Sequence, residues 1–198
     1  MPEYPREELD EMVKRWLQAN QQAQRTSNWA PVADFYTNDA LYSWNMGANR
    51  EFIAQGRSEI RDNALGYMMQ GFQNWEYPYH DVIIDHKRGT VLGFWKQIGP
   101  GKRPDGTPFQ VDGLSGSWFE YGGNYQWRWQ KDFFDMGNVT ALVFELAGAG
   151  TLHPDARQKM KHQARGQIMP GVRNIRPEPS IGTKIKNFFA MIRIVLFG

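Results

Sequence analysis

The segment Trp127-Arg128-Trp129-Gln130-Lys131-Asp132-Phe133-Phe134-Asp135, which follows the turn Tyr121-Gly122-Gly123-Asn124, holds the residues best suited to chemistry. Read as a strand, it sends Arg128, Gln130, Asp132 and Phe134 to one face and Trp127, Trp129, Lys131, Phe133 and Asp135 to the other. An ordinary half-buried strand would turn the aromatic set to the core and the polar set to water. If the polar set lines a pocket instead, Asp132 can move protons. A carboxylate enclosed by aromatic walls loses solvation in its charged form, and its pKa climbs towards the working pH. A structural Asp132 would pair with Arg128 or cap a turn. Lys96 and Lys131 fall one residue out of phase with the interior positions Trp95 and Asp132, so both are expected to face outward. A β-bulge would turn either lysine into the pocket, where it could stabilise an oxyanion or form a Schiff base.

Composition excludes several other chemistries. The 198 residues suit one domain with an extension. The 23 Lys and Arg against 21 Asp and Glu leave no excess to neutralise a phosphate backbone, so nucleic acid is not an expected partner. The absence of cysteine removes disulfides, thiolate metal sites and thiol nucleophiles. None of the histidines at 80, 86, 153 and 162 has metal-ligand spacing to another, and neither a metal nor a cofactor is expected. Gly99-Pro100-Gly101-Lys102-Arg103-Pro104-Asp105-Gly106 lacks the ending and following helix of a phosphate loop and reads as a β-turn loop. The amino terminus is polar and acidic, without the apolar segment of an export signal, which places the chain in the cytoplasm. Aromatic residues reach 14% of the chain. That surplus suits a pocket for flat, apolar ligands, and aromatic-rich subunit interfaces equally.

The elements that must position these residues follow from periodicity. Leu9, Met12, Val13, Trp16, Leu17 and Ala23 predict a helix over 7–25, and Trp29 to Tyr36 a short helix with Pro31 in its first turn. A strand with an irregular excursion near Gly47-Ala48-Asn49 is expected over 39–55, and a helix over 58–70 stopped by Gly71. Strands are predicted at 80–85, 90–98, 109–121 and 125–135. Helices followed by a meander imply an α+β domain whose curved antiparallel sheet wraps the N-terminal helices. Residues 1–147 form this domain, and 148–198 a C-terminal extension with a basic helix near 155–167 and an amphipathic one over 184–197. That last helix is too short to span a bilayer. It is expected to pack on its own domain or a neighbouring subunit, with contact to a membrane surface the less expected alternative.

The order of elements, with Phe35-Tyr36-Thr37-Asn38-Asp39-Ala40-Leu41-Tyr42, Gly56-Arg57-Ser58-Glu59-Ile60 and Lys131-Asp132-Phe133-Phe134-Asp135, resembles the nuclear transport factor 2-like superfamily, and within it the SnoaL-like group of small-molecule enzymes. The resemblance covers about residues 8–140. It implies a cone-shaped domain whose interior is the pocket. The last segment looks like the Trp-Arg-Asp-Tyr-Phe-Asp strand of limonene epoxide hydrolases, which implies that Asp132 is catalytic and faces the interior, with Gln130 and Arg128 on the same wall and Trp127, Trp129 and Phe133 outward.

By the same resemblance Tyr42 takes the place of a water-holding tyrosine, while Trp44, Trp95 and Gln97 stand where those hydrolases carry an asparagine and an Arg-x-Asp pair. An indole has one N–H donor and no charge, so epoxide opening by that mechanism is not expected. Dehydratases and cyclases of the superfamily pair an aspartate with a histidine, which makes His80 a candidate acid or shuttle. The resulting site has Asp132, His80, Tyr42 and Arg128 as catalytic candidates, and Trp44, Phe52, Tyr67, Trp95, Gln97, Gln130 and Phe134 as substrate-binding candidates, with Phe35 and Met68 as further wall residues. Scytalone dehydratase and ketosteroid isomerase make dehydration, aldehyde release, hydration or isomerisation of a hydroxylated aromatic or polycyclic compound the expected chemistry, in a homo-oligomer. A non-catalytic ligand-binding or assembly module of the same fold is the alternative.

Overall fold

The computed structural model describes residues 4–47 and 49–197. Helix α1 (Arg6–Thr26) buries Leu9, Met12, Val13, Trp16 and Ala23, carries Glu7 and Glu8 in its first turn and Arg25 in its last, and ends at Ser27 in the left-handed conformation. These charges complement the helix dipole. A 3₁₀ turn (Ala30–Phe35) with Pro31 at its start leads into β1 (Tyr36–Asn45), which pairs back on β2 (Arg50–Gln55).

The helix expected over 58–70 is instead three short pieces: α2 (Gly56–Glu59), a π turn (Ile60–Ala64) and a 3₁₀ turn (Tyr67–Met69). Gly66 is the breaking point. It lies outside helical geometry at φ −92°, ψ −92°, and a Cβ there would come within 2.4 Å of the Asp62 carbonyl oxygen. Strands β3 (Tyr79–Asp85), β4 (Thr90–Trp95), β7 (Ser115–Gly123) and β8 (Gln126–Phe134) form the expected antiparallel meander. Between them the loop near Gly99 holds a small ribbon of its own, β5 (Ile98–Lys102) and β6 (Pro108–Gln110).

With a last short strand, β9 (Val172–Asn174), the main sheet runs β3-β4-β7-β8-β1-β2-β9. Its one parallel ladder joins β1 to β8, because the whole meander separates these strands in the chain. The sheet is therefore mixed, where the sequence pattern predicted antiparallel pairing throughout. Apolar side chains of α1, β1, β2, β7 and β8 fill the concave side.

Two helices close the open end. Helix α3 (Met136–Gly148) starts at Asp135, whose side chain accepts a hydrogen bond from the Asn138 amide, and α4 (Pro154–Ala164) follows. Leu142, Val143, Leu146, Leu152 and Ala156 pack with Trp75, Phe109 and Val111 into a second core cluster. Past residue 147 the chain keeps its contact with the domain: β9 (Val172–Asn174) pairs with β2 at the sheet edge. Helix α5 (Ile181–Phe197) is the last of the described elements. Among the described residues, no helix is long and apolar enough to cross a membrane.

Candidate active site

The concave side of the sheet encloses a cavity of about 290 Å³. The strands form its floor through Tyr42, Trp44, Trp95, Ser117, Gln130, Asp132 and Phe134, while Trp16 of α1 and Trp29 form a side wall. Its other end is closed by Met136, Val139 and Val143 of α3 and by Ala156, Lys159 and Met160 of α4. Met46, Met68, Met69 and Met169 line it as well, so six methionines face the space. Among the described lining residues, Asp132 is the one carboxylate and Lys159 the one cation.

Asp132 is 8% exposed. One of its oxygens accepts hydrogen bonds from Ser117 Oγ at 2.6 Å and Gln130 Nε2 at 2.7 Å, and the other from Tyr42 Oη at 2.5 Å. A second layer fixes these donors. Trp95 Nε1 donates to Ser117 Oγ at 2.9 Å, and the Tyr36 hydroxyl donates to Gln130 Oε1. A carboxylate has about four acceptor positions. Three are taken, which leaves one for a proton or hydroxyl presented from the cavity.

Burial raises the Asp132 carboxyl to about 6, while the hydrogen bonds from Ser117, Tyr42 and Gln130 pull the other way. The same burial, followed by the charge on Asp132, pushes Tyr36 and Tyr42 well above the ordinary phenol range. Both phenols therefore remain protonated donors at neutral pH. The arrangement offers a base that is mostly ionised at pH 7 and a neutral O–H donor bonded to it. That is sufficient for taking a proton from one atom and returning it to another.

A register shift decides which neighbours join Asp132. Tyr121 opposes Trp127 and Glu120 opposes Trp129, so Arg128 is an extra residue bulged from β8. The bulge reverses parity on its N-terminal side. Trp127 is fully buried against Trp16, Phe119 and Tyr121, not outward as strict alternation predicted. Arg128 points away from the cavity, exposed, with its guanidinium 2.9 Å from Glu120. It is therefore removed from the catalytic candidates. Beyond the bulge alternation holds: Trp129 meets Trp118 and Phe133 meets Phe94 on the outer face.

The other candidates divide in the same physical terms. Tyr42, Trp44, Trp95, Gln97, Gln130, Phe134 and Met68 line the cavity. His80 is exposed on β3, its ring beside Phe94, because β3 is the sheet edge and His80 is the extra residue in the register shift between Tyr79 and Asp81. Tyr79, its neighbour, takes the interior position. Phe52 is buried behind the wall, stacked on Trp44 at 3.8 Å. Tyr67 lies outside the lining, and Phe35 packs edge-on against Trp16. Lys96 is exposed, and Lys131 is paired in register with the outward Trp118.

Lys159 was not a sequence candidate. Its ammonium donates to the carbonyl oxygens of Tyr67, of Met68 at 3.1 Å and of Gln70 at 2.7 Å, and lies over the Tyr67 and Phe72 rings. Burial lowers it to about 8. With all three N–H groups on backbone carbonyls, it ties α4 to the 67–70 turn. The helix before it was also missed, although Val139, Leu142, Val143 and Leu146 have helical spacing behind an Asp135 cap.

Compared by sequence, the chain matches no protein-family model and no curated protein. Its fold, however, is found among solved structures. A protein from Jannaschia sp. CCS1, provisionally assigned as a SnoaL-like polyketide cyclase, superposes with a TM-score of 0.52 at 16% identity, over 72% of this chain and 96% of that one. An NTF2-like protein from Anabaena variabilis ATCC 29413 superposes with a TM-score of 0.51 at 15% identity, over 68% of this chain and 95% of that one.

Proposed function

We propose that this NTF2-like fold is a cofactor-independent enzyme that carries out acid–base elimination, hydration or isomerisation on a hydroxylated aromatic or polycyclic compound. Asp132 is the base, and Tyr42 is the donor that holds it and steadies oxygen charge as it develops. The observation that carries this reading is a buried carboxylate, raised to about 6, on the floor of a largely apolar cavity and held by three donors. Perturbed titratable groups in concave apolar sites are the usual mark of acid–base chemistry. The aromatic floor, Trp44, Trp95 and Phe134, suits a flat guest. The fold relationship to a SnoaL-like protein is consistent with this class and does not choose among its reactions.

The experiment is a turnover screen of hydroxylated aromatic and polycyclic compounds with wild type and Asp132→Asn. Asparagine keeps the size and most hydrogen bonding of the acid and removes the basic site. Turnover should fall by a factor on the order of 10² to 10⁴ with little change in ligand affinity. In wild type, kcat/KM should rise with pH through about 6, because protonation of Asp132 below that value removes the base. Near-normal turnover by Asp132→Asn sinks the assignment. Tight ligand binding without turnover of any compound would favour a binding module.

A further inference from the structure

Helix α5 stands apart from the chemistry. Along it the side chains of 181–191 and 193–196 are exposed, with Ile181 at 78%, Phe189 at 63% and Leu196 at 65%. The domain therefore does not cover it, contrary to the expectation that the tail packs on its own domain. Its residues are sorted around the axis: at helical spacing Ile181, Ile185, Phe188, Ile192 and Leu196 share one face, while Lys186 and Arg193 lie together on its flank, roughly 100–120° round the axis from its centre. Between 181 and 197 there are three cations, Lys184, Lys186 and Arg193, and no carboxylate. The segment before it, Arg176-Pro177-Glu178-Pro179-Ser180, contributes a carboxylate at Glu178, 3.0 Å from Lys184.

We propose that α5 is a membrane-surface anchor that lies flat on a bilayer rich in anionic phospholipid. Its apolar face enters the boundary between headgroups and acyl chains, and its cations meet lipid phosphates and carboxylates. At 1.5 Å per residue the helix is about 25 Å long, suited to lying in the interface. Charge separates this partner from a second copy. Two α5 helices face to face would bring together cations with no carboxylate on either helix to pair them, whereas paired helices use opposite charges beside the apolar seam. An anionic lipid surface supplies the missing charge, and the prolines at 177 and 179 set α5 off from β9 as a separate arm.

The test is co-flotation of the full chain with vesicles of phosphatidylcholine alone and of phosphatidylcholine with phosphatidylserine. The chain should float with the anionic vesicles, much less with the neutral ones, and less again at high salt. Each basic residue near such a surface is worth roughly fivefold in binding, so the double variant Lys186→Gln, Arg193→Gln should bind about 30-fold more weakly. The double variant Phe188→Ser, Phe189→Ser should not float at all. Both variants should unfold at the wild-type temperature, since their side chains are exposed. Absence of flotation, equal flotation with neutral vesicles, or wild-type flotation by either variant overturns the proposal. So does a wild-type oligomer that the Phe188→Ser, Phe189→Ser variant dissociates, because α5 would then be covered by a second copy.

Discussion

Burial of Asp132 should cost the protein stability, and the cost can be read as a function of pH. Its carboxyl moves from an ordinary value of 3.8 to about 6 on folding. Between those values the folded state binds the proton more tightly than the unfolded chain does, so stability falls as pH rises through that window. Below it both states are protonated, and above it both are ionised. A displacement of roughly two pKa units at about 1.4 kcal/mol each gives a penalty of about 3 kcal/mol at neutral pH.

Asparagine is the nearest permanent mimic of the protonated acid. Its oxygen can accept from Ser117 and Gln130, and its amide can donate to the Tyr42 oxygen. Asp132→Asn should therefore match wild type near pH 4 and exceed it by up to about 3 kcal/mol at pH 7, or roughly 6–12 °C in Tm for a chain of this size. Urea unfolding of both proteins from pH 4 to pH 8 measures the difference, and every other titrating group cancels in it. A difference independent of pH would refute the reasoning. So would a wild type that gains stability relative to the variant as pH rises, since that is the signature of a carboxylate stabilised in its charged form.

Tyr42→Phe removes one of the three donors to Asp132, so the acid limb of kcat/KM should move to higher pH; an unmoved limb in a pH–rate profile would detach Tyr42 from the base. Gly71→Ala should destabilise by about 1–3 kcal/mol in denaturant unfolding, because Gly71 has φ +84° and a Cβ there would lie 2.4 Å from the Ala156 amide nitrogen of α4. Trp118, 47% exposed and edge-on to Trp129, lies on an outer face that also presents the exposed Ile83, a patch suited to self-association. Trp118→Lys should lower the sedimenting mass of a wild-type dimer, and a wild type that sediments as a monomer would remove that role from the face.

Alternation put Asp132, Gln130 and Phe134 on one face because the strand is regular from Trp129 onward, and the resemblance turned that face inward. Arg128 and Trp127 were misplaced for one reason: a bulge inserts a single residue, leaves no compositional mark, and reverses every side chain on one side of it. His80 failed similarly, one residue from Tyr79 at another register shift. Tyr42 and Trp95 came through the resemblance and would not have been found from spacing alone. Lys159 had no local signal, since its role depends on a turn about 90 residues earlier. The 56–69 segment shows the limit of periodicity, as Gly66 breaks a helix that the apolar spacing supports.

The cavity is made of two materials. Asp132 and its donors stand on β1, β7 and β8, tied to one another across paired strands. The six methionines are unbranched thioethers with three freely turning bonds, and they come mainly from turns and from the closing helices. A guest can thus press the far wall into a new contour without disturbing the carboxylate. Under the proposed function, selectivity in such a chamber would come from where the reacting hydrogen meets Asp132, with the outline of the rest of the molecule left loosely specified. Compounds of different breadth that present the same acidic C–H or hydroxyl at the same depth should be processed alike.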